Sequence, residues 1–190
     1  AKENGAARVL LVEPDLYYSA QDRGPGREHG ETKFERDELD LKKFDGQPFT
    51  AGLYAQMLKL AGVDSVLTVH NHSYSVQNIF GQVFDGQFFN LIPYEIYIDY
   101  LRNSNIVSYG PEGEGLALCA PDKGARDYVK EMYVKLGLPK AKFILLDKER
   151  SGEREVAIKL HAESESTFDE IDGHDVVLFD DMVRTGSTVV

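Results

Sequence analysis

Apolar positions along the 190-residue chain fall into short continuous runs separated by longer stretches with helical spacing. Arg8-Val9-Leu10-Leu11-Val12 is closed by Glu13-Pro14 and predicts a buried strand. From Pro48 to Ala61, residues Phe49, Leu53, Met57, Leu58 and Leu60 recur near one side, with a proline start and a Gly62 stop, so a helix is expected. Ser65–Val69 reads as a second strand. Leu91-Ile92-Pro93 ends a polar loop, and Tyr94–Leu101 suits a helix. Gly115–Ala120 is a third strand, followed by a helix over Lys123–Leu136. Lys142–Leu146 is a fourth, and Asp175–Phe179 a fifth that runs straight into Asp180-Asp181.

Strands alternating with helices imply an α/β fold with mainly parallel sheets and helices on both faces. Ligands in such sheets bind beyond the carboxyl ends of the strands. Two segments break the alternation. Residues 22–47 are rich in charge and glycine and predict an exposed loop with room for a hairpin; residues 150–170 are polar, and Ser151-Gly152-Glu153-Arg154 reads as mobile. Strand–loop–helix units recur in both halves, which allows two similar lobes, 1–105 and 106–190. The chain stops at Val189-Val190, where a helix should be starting, so a fragment is expected.

Composition narrows the function. With 21 basic against 32 acidic residues the net charge is −11, which repels duplex DNA and anionic membranes and disfavours general nucleic-acid binding. No apolar run approaches the ~18 residues of a membrane span. The single cysteine, Cys119, has no intramolecular partner, and the opening residues lack the apolar stretch of a signal peptide. A reducing, cytoplasmic setting is therefore expected.

The strongest chemical signal is Val176-Val177-Leu178-Phe179-Asp180-Asp181-Met182-Val183-Arg184-Thr185-Gly186-Ser187-Thr188. A buried strand ends in two carboxylates, and a short loop then offers hydroxyls, a glycine and the amide donors of a helix start. That combination suits a phosphate, with the aspartates set to accept from sugar hydroxyls or to meet a metal. An ordinary strand–turn–helix with a Ser or Thr cap is the plainer reading of Thr-Gly-Ser-Thr alone. Lys148-Glu149-Arg150 on its own is a basic surface loop. If extended, it sets two cations on one side. His70 and His72 suit either a metal or phosphate contact or a hydrogen-bonded structural role, and the structural role is preferred for His70. The zinc alternative lacks cysteines and a histidine pair at helical spacing.

The loop from Asp180 resembles the phosphoribosyl-diphosphate motif shared by type I phosphoribosyltransferases and ribose-phosphate diphosphokinases. Upstream segments resemble the second group, in its order. They are Tyr18-Ser19-Ala20-Gln21-Asp22-Arg23, Val66-Leu67-Thr68-Val69-His70-Asn71-His72, Phe88-Phe89-Asn90-Leu91-Ile92-Pro93, Ala120-Pro121-Asp122-Lys123-Gly124-Ala125 and Asp147-Lys148-Glu149-Arg150.

The resemblance implies two phosphoribosyltransferase-like lobes, each incomplete here, and transfer of the diphosphoryl group of ATP to ribose 5-phosphate. It also implies Mg2+ and a homo-oligomer; the absence of a nucleic-acid or membrane partner is expected from the charge and the apolar runs. By position, Lys148 is the catalytic lysine and Arg150 a phosphate contact, with Arg154 a further candidate. Asp180, Asp181, Arg184, Thr185, Gly186, Ser187 and Thr188 hold the sugar phosphate. Gln21, Asp22 and His72 meet the nucleotide, and His72 with Asp122 meets the metal.

Departures are plain too. Ala20 stands for an arginine, His70 for an aspartate and Arg184 for an aspartate, while Asn90 and Glu95 lie near family aspartates. Residues 24–46 include an apparent insertion, and the stretch between His72 and Phe88 is longer than usual. These changes keep two alternatives open: a non-catalytic regulatory paralogue of the same family, or a type I phosphoribosyltransferase.

Overall fold

A computed structural model of the chain describes residues 1–26, 37–71, 73–150 and 156–181; of residues 148–150, 156 and 157 only the backbone is described. The chain divides into two compact units, Ala1–Pro93 and one that begins at Tyr94.

The first unit is built on a parallel three-stranded sheet in the order β1 (Leu10–Val12), β2 (Ser65–Val69), β3 (Phe88–Leu91). Between β1 and β2 lie a short α1 (Glu38–Lys42), capped by Asp37 accepting the Asp40 N–H at 2.7 Å, and α2 (Thr50–Leu60). α3 (Tyr74–Val83) joins β2 to β3. Both crossovers step the same way across the sheet, so right-handed connections carry both helices to one face. That face presents Leu11, Val66 and Phe88, which are in register. Ala51, Ala55, Val76, Phe80 and Phe84 close the core over it. Phe80 is fully buried, with ring centroids 5.1 Å from Phe88 and 6.0 Å from Phe84; burying such a ring contributes about 1.5–3 kcal/mol.

Cover on both faces, expected from the sequence, is not what the described helices of this unit provide. Leu10, Val12, Phe89 and Leu91 on the opposite face are 53%, 56%, 48% and 52% exposed. The topology is the reason, since a sheet wound in one direction receives its crossovers on one side only. α3 and β3 also stand where the sequence reading had a polar loop. The apolar positions of α3, Val76, Ile79, Phe80 and Val83, do have helical spacing, but Gln77, Asn78, Gly81 and Gln82 lie between them.

The second unit carries the sheet order β6 (Val156–Leu160), β5 (Lys142–Arg150), β4 (Leu116–Ala120), β7 (Asp175–Leu178). β4 is parallel to both β5 and β7, and β6 is antiparallel to β5. β4 is buried at every residue, as its Leu-Ala-Leu-Cys-Ala sequence demands of a central parallel strand. α5 (Lys123–Leu136) packs Ala125, Val129, Met132 and Leu136 against Leu116, Leu118, Phe143 and Leu145. It ends at Gly137, whose φ of 65° is the left-handed conformation that glycine adopts without steric cost.

α4 (Tyr94–Asn103) belongs with this unit, because Ile98 sits in the same core cluster. A boundary at 105/106 would separate that helix from the core it fills. β5 runs four residues beyond the expected Leu146, to Arg150, and pairs with β6 inside the stretch expected to be a polar loop. The alternation Val156-x-Ile158-x-Leu160 carried that strand signal.

Candidate functional site

In the second unit β5, β4 and β7 lie side by side and run in the same direction. Ala120 of β4 pairs with Leu145 of β5, and Cys119 pairs with Leu178 of β7. The Phe179 N–H extends the β4–β7 ladder by donating to the Cys119 carbonyl at 3.1 Å. Asp122, Asp180 and Asp181 thus follow strand ends on one edge of one sheet, and Asp147 lies within β5, two residues beyond the Leu145 that pairs with Ala120.

Asp122 is the N-cap of α5, one carboxylate oxygen accepting the Ala125 N–H at 3.1 Å. Asp180 and Asp181 are half-buried beside an aromatic group. Phe179 meets Tyr97 and Tyr128 edge-on at 6.2 and 6.1 Å, and Tyr128 lies 6.0 Å from Tyr94. Burial, reinforced by Tyr97, Tyr94, Asp181 and Asp180, holds the Tyr128 phenol well above its ordinary range, so it stays protonated next to the carboxylates. Sequence reading missed this tyrosine, whose only signal was its place on the helix that follows Asp122.

Lys148 and Arg150 lie on the β5 extension, their backbones paired with Ile158 and Val156. Their side chains, and Arg154, Arg184, Thr185, Gly186, Ser187 and Thr188, fall outside the described residues, as does His72.

Among the described residues no group of three or more His, Cys, Asp or Glu side chains forms a metal centre. The donor chemistry at Asp122 nonetheless fits Mg2+: the cap uses one oxygen, and this ion binds through one or two carboxylates, keeping water and substrate phosphates as its other ligands.

In the first unit the strand ends are tied together by polar groups. After β1, the Glu13 carboxylate accepts the Tyr54 hydroxyl, with oxygens at 2.9 and 3.1 Å, and the Tyr17 N–H at 3.2 Å. Burial first, then Glu13, pushes the Tyr54 phenol well up from its ordinary value. Tyr18 follows with φ of 61°, and His70 after β2 has φ of 49°; both are left-handed conformations unusual outside glycine. The Gln21 N–H donates to the Tyr18 carbonyl at 2.9 Å, and the Gln21 carbonyl accepts the Ala51 N–H of α2 at 3.4 Å.

Asp22 accepts the Ser73 hydroxyl at 2.5 Å. Asn71 is almost fully buried; its N–H donates to Asn90 Oδ1 at 2.7 Å, and its own Oδ1 accepts the Ser73 N–H at 3.0 Å. Its Nδ2 is buried without a hydrogen-bond partner among the described residues. Asn71, Ser73 and Asn90 were not singled out as contacts by the sequence reading; Ser-x-x before a helical run was the available signal.

These features define an α/β protein of the parallel-sheet kind, with its titratable and polar groups gathered at the carboxyl ends of strands. No protein-family model matches the chain. Its sequence is similar along its whole length to curated ribose-phosphate pyrophosphokinases. One from Ureaplasma parvum is 28% identical, with 100% of this chain and 46% of the relative covered. One from Chlorobaculum tepidum is 26% identical, with 100% and 47% covered. One from Methanopyrus kandleri is 30% identical, with 100% and 52% covered. The fold matches that of phosphoribosylpyrophosphate synthetase from Mycobacterium smegmatis with a TM-score of 0.65 at 21% identity, over 99% of this chain and 49% of that one. The chain is thus similar to ribose-phosphate pyrophosphokinases, and it spans about half the length of the curated relatives it matches. No helix among the described residues is long and apolar enough to cross a membrane.

Proposed function

We propose that the protein is a ribose-phosphate diphosphokinase. The observation that carries this reading is the placement of the resembling segments. Gln21-Asp22 follows β1, His70-Asn71 follows β2, Asp122 follows β4, Lys148 and Arg150 end β5, and Asp180-Asp181 follows β7. All lie at carboxyl ends of parallel strands, where α/β sheets bind ligands. Whole-length similarity to pyrophosphokinases from bacteria and an archaeon supports the same reading.

In this reaction the C1 hydroxyl oxygen of ribose 5-phosphate attacks the β-phosphorus of ATP. The bond from the β-phosphorus to its α-bridging oxygen breaks, AMP leaves, and the hydroxyl proton is lost. Lys148 and Arg150 supply positive charge to the oxygens of the group in flight. Asp180 and Asp181 accept from ribose hydroxyls, and Arg184, Thr185, Gly186, Ser187 and Thr188 receive the 5′-phosphate. Gln21, Asp22 and His72 serve the nucleotide. Asp122 would hold Mg2+, which would supply positive charge against the phosphates; His72 is a further metal candidate by resemblance. The reading includes a homo-oligomeric, cytoplasmic enzyme of nucleotide biosynthesis.

Incubation of the protein with ATP, Mg2+ and ribose 5-phosphate tests it. AMP formation that requires ribose 5-phosphate is expected. No turnover, together with association with a homologous active subunit, would favour a regulatory role. Diphosphate release from phosphoribosyl diphosphate on adding a base would favour a phosphoribosyltransferase.

A further inference from the structure

We propose that Asp22 serves the nucleotide as a positioning residue: its carboxylate, acting through the Ser73 hydroxyl, clamps the Gln21-Asp22 turn onto the start of α3. This deepens the nucleotide reading above and rests on it.

The geometry assigns the carboxylate a partner already. Ser73 has one hydroxyl proton, and it is given to Asp22 at 2.5 Å. The same oxygen accepts the Val76 N–H at 3.4 Å and so caps α3.

The neighbouring residue does the matching task at α2. Phe49 gives that helix no side-chain cap, and the Gln21 carbonyl takes the Ala51 N–H instead, at 3.4 Å. Two adjacent residues after β1 therefore satisfy orphan donors or a capping hydroxyl at the starts of two helices. On the far side, Asn71 fixes Ser73 through its N–H at 3.0 Å and is itself fixed by Asn90 of β3 at 2.7 Å. The turn between β2 and α3, with its left-handed His70, is thus held from the β1 side by Asp22 and from the β3 side by Asn90. Releasing Asp22 frees the turn on one side and leaves the Ser73 hydroxyl without its acceptor. The Gln21-Asp22 turn and the start of α3 then lose their fixed spacing.

The test is MgATP affinity by titration calorimetry and the thermal midpoint, for the unsubstituted protein, Asp22→Ala, Asp22→Asn, Ser73→Ala and the double alanine variant. Asp22→Ala and Ser73→Ala should each weaken MgATP binding by about tenfold and lower the midpoint by a few degrees. Asp22→Asn keeps the acceptor oxygen and should recover both, to within roughly threefold in affinity. The double variant should be no weaker than Ser73→Ala alone, because that variant already removes the Asp22–Ser73 interaction along with the cap of α3. Full affinity in the unsubstituted protein, with Asp22→Asn as weak as Asp22→Ala and an unchanged midpoint, would overturn the positioning role, since the charge itself would then be the contact. An Asp22→Ala variant that binds and melts like the unsubstituted protein would overturn it as well. No MgATP affinity in the unsubstituted protein would overturn the nucleotide reading, and this role with it.

Discussion

Asp122 accepts the Ala125 N–H at 3.1 Å, so the carboxylate offered to Mg2+ is also the cap of α5. The two duties separate by substitution. Asp122→Asn keeps an oxygen for the cap and loses the charge, so the thermal midpoint should stay nearly unchanged while the Mg2+ concentration needed for half-maximal activity rises. Asp122→Ala loses both, and should cost about 1 kcal/mol of stability as well. Thermal denaturation alongside a Mg2+ titration checks this, and equal Mg2+ dependence in all three proteins would remove Asp122 from the metal site.

Lys148 and Asp181 should fail in different ways. Lys148→Ala is expected to lower turnover by on the order of 10²-fold with little change in the KM for ribose 5-phosphate, because its charge acts on the group in flight. Asp181→Ala should mainly raise that KM. Steady-state kinetics separates the two patterns. Unchanged turnover in the first variant, or unchanged KM in the second, would move the role elsewhere.

Cys119 sits in β4 at 2% exposure, and burial pushes its thiol up to about 11. The folded pKa is raised, so the stability this burial contributes is fully present below the ordinary thiol range. It is lost as pH rises toward about 11. Thiol-reactive dye at pH 8 should label the native protein slowly and the urea-unfolded protein fast. Rapid native labelling would show that β4 is not the closed central strand described above.

Phe80 is the ring on which the first unit's core turns, fully buried against Phe84 and Phe88. Phe80→Ala should cost about 3–5 kcal/mol, read as a shift of the urea midpoint. A loss under about 1 kcal/mol would mean that α3 does not pack on β3 as found.

The strands that could be read from sequence were those whose apolar runs are continuous, such as Leu116–Ala120, because a central parallel strand is buried on both faces. β3 escaped because Phe88–Leu91 is four residues long and alternates in burial, leaving too little pattern to separate it from a loop. α3 escaped because a sheet of three strands buries only one side of it, so polar residues fill the remainder. Of the site, the carboxylates after β4 and β7 were legible, since their strands point to them. Asn71 and Asn90 were not, because their partnership joins β2 to β3 and no spacing in the chain encodes it. The resemblance marked Asp22, yet nothing in the sequence tied its carboxylate to Ser73, 51 residues away.

The fate of the β-phosphoryl group tests the proposed chemistry most directly. ATP labelled at the β-phosphorus, incubated with the protein, Mg2+ and ribose 5-phosphate, should pass its label to a phosphoribosyl diphosphate product while unlabelled AMP accumulates in equal amount. Label retained in ATP, or found in ADP with only the terminal phosphoryl group moved, would contradict diphosphoryl transfer.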